Sequence, residues 1–134
     1  MNALPKSLFV AVAIAAFATL TACATDYHHS WLDGYRHYKV PFETHPVIIS
    51  KVDGVSTMPG SYPVQVEPGP RMVAVQTYPN PTDRLGEEKT FNLDVKPCTH
   101  YYLVAVKPNR LQRDFDLRVA YEEPVPGCTP PPAN

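Results

Sequence analysis

Fifteen of the sixteen prolines in this chain lie beyond residue 40, the exception being Pro5. Proline lacks a backbone donor and its ring collides with the preceding helical turn, so a chain punctuated in this way has no room for long helices. Strands and turns are what remain for residues 41–134. The whole sequence is 134 residues long, enough for one domain and one core. A formal net charge of −1 supplies no electrostatic footprint for nucleic acid.

From Pro46 onward the apolar residues recur with a period of two. In "SYPVQVEPGPRMVAVQTY", Tyr62, Val64 and Val66 alternate with polar neighbours, Pro68-Gly69 supplies turn residues, and Val73 and Val75 resume the alternation, which predicts a hairpin. In "KTFNLDVKP", Phe91, Leu93 and Val95 face one way, and in "RDFDLRVAYEE" Phe115, Leu117, Val119 and Tyr121 do the same, so each strand has one wet face. "THYYLVAVKP" is apolar on both sides, and the aromatic segment before residue 40 is the nearest cover for its second face. Strands are expected near 47–52, 61–66, 71–78, 89–96, 99–107 and 114–122. The expected fold class is therefore all-β: a small antiparallel β-sandwich of about six strands, since parallel strands need crossover helices.

The chain opens differently. Lys6 precedes an uncharged run from Ser7 to Ala22 that is short for a membrane span and has no polar face, the layout of an export signal. Its end, Leu20-Thr21-Ala22-Cys23, resembles the lipobox of bacterial lipoproteins at all four positions. The resemblance implies that Cys23 receives a diacylglycerol thioether, that the signal is cut off before it, and that the new amino group is acylated. With Ala24 rather than Asp in the following position, it also implies sorting to the outer membrane. Two or three acyl chains at about 0.8 kcal/mol per buried methylene make such an anchor effectively permanent. The expected division is a signal helix over 1–22, an irregular anchor and linker segment over 23–45, and a β-sandwich with a proline-rich tail over 46–134.

The linker "ATDYHHSWLDGYRHYKVPFETHP" holds the only Trp and four of the five histidines. Tyr27, Trp31, Tyr35 and Tyr38 would form one stripe on a helix, but Gly34 costs such a helix about 1 kcal/mol. His28, His29 and His37, with His45 and Asp26 or Asp33, are weak candidates for transition-metal ligands, because no pair has i, i+4 spacing on a firm helix. The aromatics are expected to pack back on the domain, the alternative being the lipid interface.

The stretch "ISKVDGVSTMPGSYPVQVEPGPRMVAV" resembles a PEGA-type repeat module, a small transthyretin-like sandwich. Val52-Asp53-Gly54, Gly60, Pro63, Pro68-Gly69, Val73 and Val75 carry the resemblance, and "PNPTDRLGEEK" after Tyr78 departs from it. The family implies a non-catalytic attachment of an exported protein and brings no catalytic residues. The sequence has no HExxH, GxSxG or glycine-rich phosphate loop. His100 near Cys98 reads as a strand residue alternating with Tyr101.

These features together point to a non-enzymatic, lipid-anchored envelope protein that needs no cofactor and binds another envelope component, on the periplasmic side of the outer membrane. The alternative is a metal- or small-ligand-binding lipoprotein using the histidine-rich segment. An oxidising compartment and an even number of remaining cysteines predict a Cys98–Cys128 disulfide. A hairpin centred near residues 110 and 111 places residue 123 opposite Cys98, with "PVPG" turning the chain back to bring Cys128 home.

Overall fold

The computed structural model of the protein describes residues 28–35, 37–39, 43–58, 63–79, 86–109 and 111–132. The signal segment and the lipobox with Cys23 lie outside the described residues. Within them the chain is all-β and contains no helix, hence none long and apolar enough to cross a membrane. Eight strands follow in order: β1 (Ser30–Asp33), β2 (His45–Val52), β3 (Val55–Ser56), β4 (Val64–Val66), β5 (Gly69–Thr77), β6 (Glu88–Val95), β7 (Thr99–Val106) and β8 (Asp116–Pro124).

They form one mixed sheet with the path β4-β1-β7-β2-β5-β6, β3 pairing with β2 and β8 with β7. β2 pairs with β7 only through His45 and Pro46, and from Val47 it pairs with β5. The path therefore folds over at this strand. Leu32, Tyr101, Leu103 and Ala105 from one side and Val47, Ile49, Val73 and Val75 from the other meet in a single buried cluster, with Phe115 the largest fully buried side chain in it. Burying side chains of this size contributes about 1.5–3 kcal/mol each. The result is a sandwich-like arrangement of two layers.

Three expectations need correction. The segment read as an irregular linker contains β1, a strand inside the sheet. It pairs parallel with β7 and antiparallel with β4, so the pairing is not purely antiparallel. Ser30 explains why no alternation announced it: this polar residue is buried, its hydroxyl donating to the Lys96 carbonyl at 2.6 Å and accepting from the Thr99 N–H at 3.0 Å. Second, β4 and β5 do not form a hairpin; β4 pairs with β1 and β5 with β2 and β6, so Pro68-Gly69 turns a corner between layers. Third, β8 carries a bulge. Tyr102 faces Tyr121 but Leu103 faces Val119, which leaves Ala120 as the extra residue. Leu117 and Val119 pack on the core, whereas Tyr121 is turned to the other face.

Asp53-Gly54, one of the stretches that carried the resemblance, closes the β2–β3 hairpin with φ of 50° and 80°, the left-handed pair a two-residue turn requires.

Candidate functional site

The outward face of β1, β7 and β8 is built by register. Trp31, His100 and Glu123 align across the three strands, and the next row on the same face is Asp33, Tyr102 and Tyr121. Period two puts both rows on the side opposite Leu32, Tyr101 and Leu103. Parallel pairing of β1 and the Ala120 bulge are what bring these six side chains together.

Their contacts form a connected network. The His100 and Tyr102 rings are stacked at 4.5 Å and 9°. His100 Nε2 lies 3.4 Å from Asp33 Oδ2, and Asp33 Oδ1 accepts the Tyr35 N–H at 2.8 Å. The Tyr102 hydroxyl donates to Glu123 Oε1 at 2.9 Å. Burial first, then this bond to a carboxylate that favours the protonated phenol, pushes the Tyr102 hydroxyl up to about 12.

Residues 37–39 lie over these rows. The His37 ring stacks on Tyr121 at 4.4 Å and 19°, and meets Tyr102 at 4.5 Å and Tyr38 at 4.4 Å. His37 Nδ1 accepts the Lys39 N–H at 3.2 Å. Lys39 Nζ donates to the Tyr121 hydroxyl at 3.1 Å and sits 4.9 Å from the centre of that ring. The same bond to Tyr121 raises the Lys39 ammonium above its ordinary value. Tyr38 is 85% exposed beside them. The aromatic segment thus packs on the domain and covers the second face of β7, as its apolar pattern required.

The weak metal candidates are dispersed. His28 Nδ1 donates to the Thr129 carbonyl at 2.8 Å, His29 Nδ1 lies 3.5 Å from Glu67 Oε1, and His37 is held among tyrosines. Among the described residues no three His, Cys, Asp or Glu side chains stand together as a metal-binding set. His100 proves to be more than an alternating strand residue, since it joins Asp33 to the tyrosines. Lys39 and Glu123 escape a reading of the sequence by local pattern, and Asp33, weighed there as a metal ligand, stands instead beside His100, because only the register of distant strands gives them their places.

Cys98 and Cys128 are joined as a disulfide, with Cα atoms 5.5 Å apart and a sequence separation of 30. The bond gathers three segments at one pole of the domain. Cys98 N–H donates to the His28 carbonyl at 3.3 Å, Val125 N–H donates to the Cys98 carbonyl at 2.9 Å, and Cys128 N–H donates to the Val125 carbonyl at 3.2 Å. Two open grooves share Cys128: one of about 280 Å³ bounded by Pro97, Thr99, Glu122 and Pro130, and one of about 240 Å³ bounded by His29, Trp31, Val125 and Pro126.

The opposite edges of the sheet are linked by charge. Lys89 Nζ donates to Asp114 Oδ1 at 2.6 Å and to the Phe115 carbonyl at 2.8 Å, and Lys96 Nζ donates to Glu122 Oε1 at 2.9 Å. Lys89 on β6, an edge strand, reaches across to the segment that leads into β8, and Lys96 just beyond its end reaches β8 itself, which blunts both edges against stray pairing.

Comparison of the chain with protein-family models, with curated proteins and with solved structures found no match.

Proposed function

We propose that this chain is a lipid-anchored envelope lipoprotein whose sandwich-like domain binds another envelope protein, without catalysing a reaction, through the histidine and tyrosine face of β1, β7 and β8. The lipobox Leu20-Thr21-Ala22-Cys23 supports the anchor, and its sorting residue Ala24 supports the outer membrane, periplasmic side. The resemblance to PEGA-type modules, small antiparallel sandwiches of the transthyretin type, supports a non-catalytic attachment.

The observation that carries the binding reading is the gathering of His37, Tyr38, Tyr102, Tyr121 and His100 rings on one outward face, with their polar ends engaged by Asp33, Glu123 and Lys39. Tyrosine offers a large rigid contact area at little entropic cost, which is why it concentrates at binding surfaces. A photo-crosslinking residue in place of Tyr38 tests this in intact cells. Capture of one envelope protein by that variant, and not by one with the crosslinker at exposed Asn92 on β6, is the expected outcome. Equal capture at both positions, or none at Tyr38, overturns the reading.

A further inference from the structure

We infer that the shallow slot formed over the Tyr102 and Tyr121 rings is a receptor for an arginine side chain of the partner protein, covered in the free protein by His37. The inference rests on the reading that this face meets a protein partner and names the chemistry of the contact.

The two ring centres are 6.0 Å apart on neighbouring strands, and the His37 ring touches both, at 4.5 and 4.4 Å. His37 stacks on Tyr121 and is tilted against Tyr102, so a flat, delocalised group resting on the Tyr121 face beside Tyr102 is the shape that fits. The surroundings then select for positive charge. Glu123 holds the Tyr102 hydroxyl at 2.9 Å, Asp33 stands beside Tyr102 in register, and both tyrosine faces carry the negative side of the ring quadrupole. Lys39 already exploits this, with its ammonium over Tyr121 and hydrogen-bonded to the phenol.

His37 and Lys39 thus present separately the two properties the slot favours, a planar ring and a cation. Arginine joins them in one side chain: its guanidinium is flat, always charged, weakly hydrated and stacks on aromatic faces. It can lie where His37 lies and reach the Glu123 carboxylate with its remaining donors. Lysine lacks the plane, and a neutral aromatic ring lacks the charge.

The occupant that must leave is held by ring contacts and not by strand hydrogen bonds. His37 belongs to a turn segment rather than to a strand, and the two residues that follow it, Tyr38 and Lys39, are exposed. Its displacement forfeits ring contacts while the ladder of β1, β7 and β8 stays intact. Affinity for the partner is then reduced by the fraction of time the slot is closed, because only the open form binds.

The experiment uses the full chain in detergent micelles, with the tripeptide Gly-Arg-Gly as probe, Gly-Gln-Gly as its uncharged match, and the NMR signals of the tyrosine rings as readout. His37→Ala should bind Gly-Arg-Gly at least tenfold more tightly than the unaltered chain, with shifts at Tyr102 and Tyr121. Gly-Gln-Gly should give no shifts, and adding Tyr121→Leu to His37→Ala should abolish the response while Phe115 signals remain at their folded positions. The slot is overturned by an absent response in His37→Ala, by an equal response to Gly-Gln-Gly, by binding that survives Tyr121→Leu, or by unaltered protein that binds as tightly as His37→Ala. Envelope-protein capture at Tyr38 without arginine binding sinks the slot and leaves the proposed function standing. Arginine binding without capture does the reverse.

Discussion

Val125 donates its backbone N–H to the Cys98 carbonyl at 2.9 Å, two positions further along the chain than residue 123, which a turn centred between residues 110 and 111 would have put there. One of those positions comes from the turn, whose register, Leu103 with Val119, centres it on residue 111. Ala120 supplies the other as the bulged residue. The disulfide therefore reaches back only from Val125 to Cys128, a single turn whose ends are joined by the Cys128 N–H at 3.2 Å.

Removing this link should be costly. For a closed loop of the 30-residue separation between Cys98 and Cys128, the chain-entropy account gives roughly 3–4 kcal/mol. Cys128→Ser is expected to lower the urea midpoint and to steepen the slope, since the unlinked denatured chain exposes more surface, and thiol labelling of the unreduced, denatured chain should leave both Cys98 and Cys128 unlabelled.

Gly34 is fixed by a neighbour rather than by its own conformation. It is buried where its carbonyl accepts the Val47 N–H at 3.0 Å, and a Cβ there would run into the Val47 carbonyl. Gly34→Ala should destabilise by about 3 kcal/mol, the upper end of the range for overpacking, because the collision is with backbone at the fold between the two layers. Thermal unfolding of the variant measures it.

Acid should unfold the protein through a small set of carboxylates. Asp53 is lowered from its usual 3.8 by the Met72 N–H and then by Arg71, Glu88 from 4.5 by Lys51 and Ser50, and Asp114 from 3.8 by Lys89. Groups lowered in the folded state contribute stability that is complete above their unfolded values and disappears as pH falls through the folded ones. Stability is thus expected to drop below about pH 4. Asp53→Asn should make that drop shallower in denaturation midpoints measured between neutral and acidic pH.

At alkaline pH the sign reverses. Tyr102 is raised to about 12 by burial and by its bond to Glu123, so its contribution is intact below the unfolded value near 10 and is lost as pH rises through the folded one. Phenolate absorbance should reveal late-ionising tyrosines, Tyr102 and also Tyr78, which burial raises. Glu123→Gln should bring Tyr102 down, though not to its ordinary value, since burial remains.

Much of the fold is legible in the alternation of side chains. β5, β6, β7 and β8 lie where Val73, Val75, Phe91, Leu93, Leu103 and Leu117 put them, and the doubly apolar pattern of β7 correctly called for cover on both faces. Pairing was harder to read. Pro68-Gly69 reports a local change of direction and carries no information about which strands hydrogen-bond, so the β4–β5 hairpin was a natural misreading. β1 was hidden because a buried serine at its start is satisfied by Lys96 and Thr99, residues far away in sequence. Tyr121 looked like a fourth core residue after Phe115, Leu117 and Val119, and nothing in a period of two marks Ala120 as the residue that breaks it. The candidate site suffers from both effects: its residue types stood out, but their assembly depends on a parallel neighbour and a bulge.

The parallel alignment of β1 with β7 also sets how the domain bears load. β1 begins beside the disulfide pole, where His28 is bonded to Cys98 and Thr129, and is flanked on one side by β7 and on the other by β4. A pull on β1 along its own axis acts across hydrogen bonds that lie transverse to it, so the rungs on both flanks are strained at once instead of parting in sequence. In the proposed lipid-anchored form, drag on the domain is thereby met in shear, and β1 works as a mechanical clasp between the leash and the body it holds.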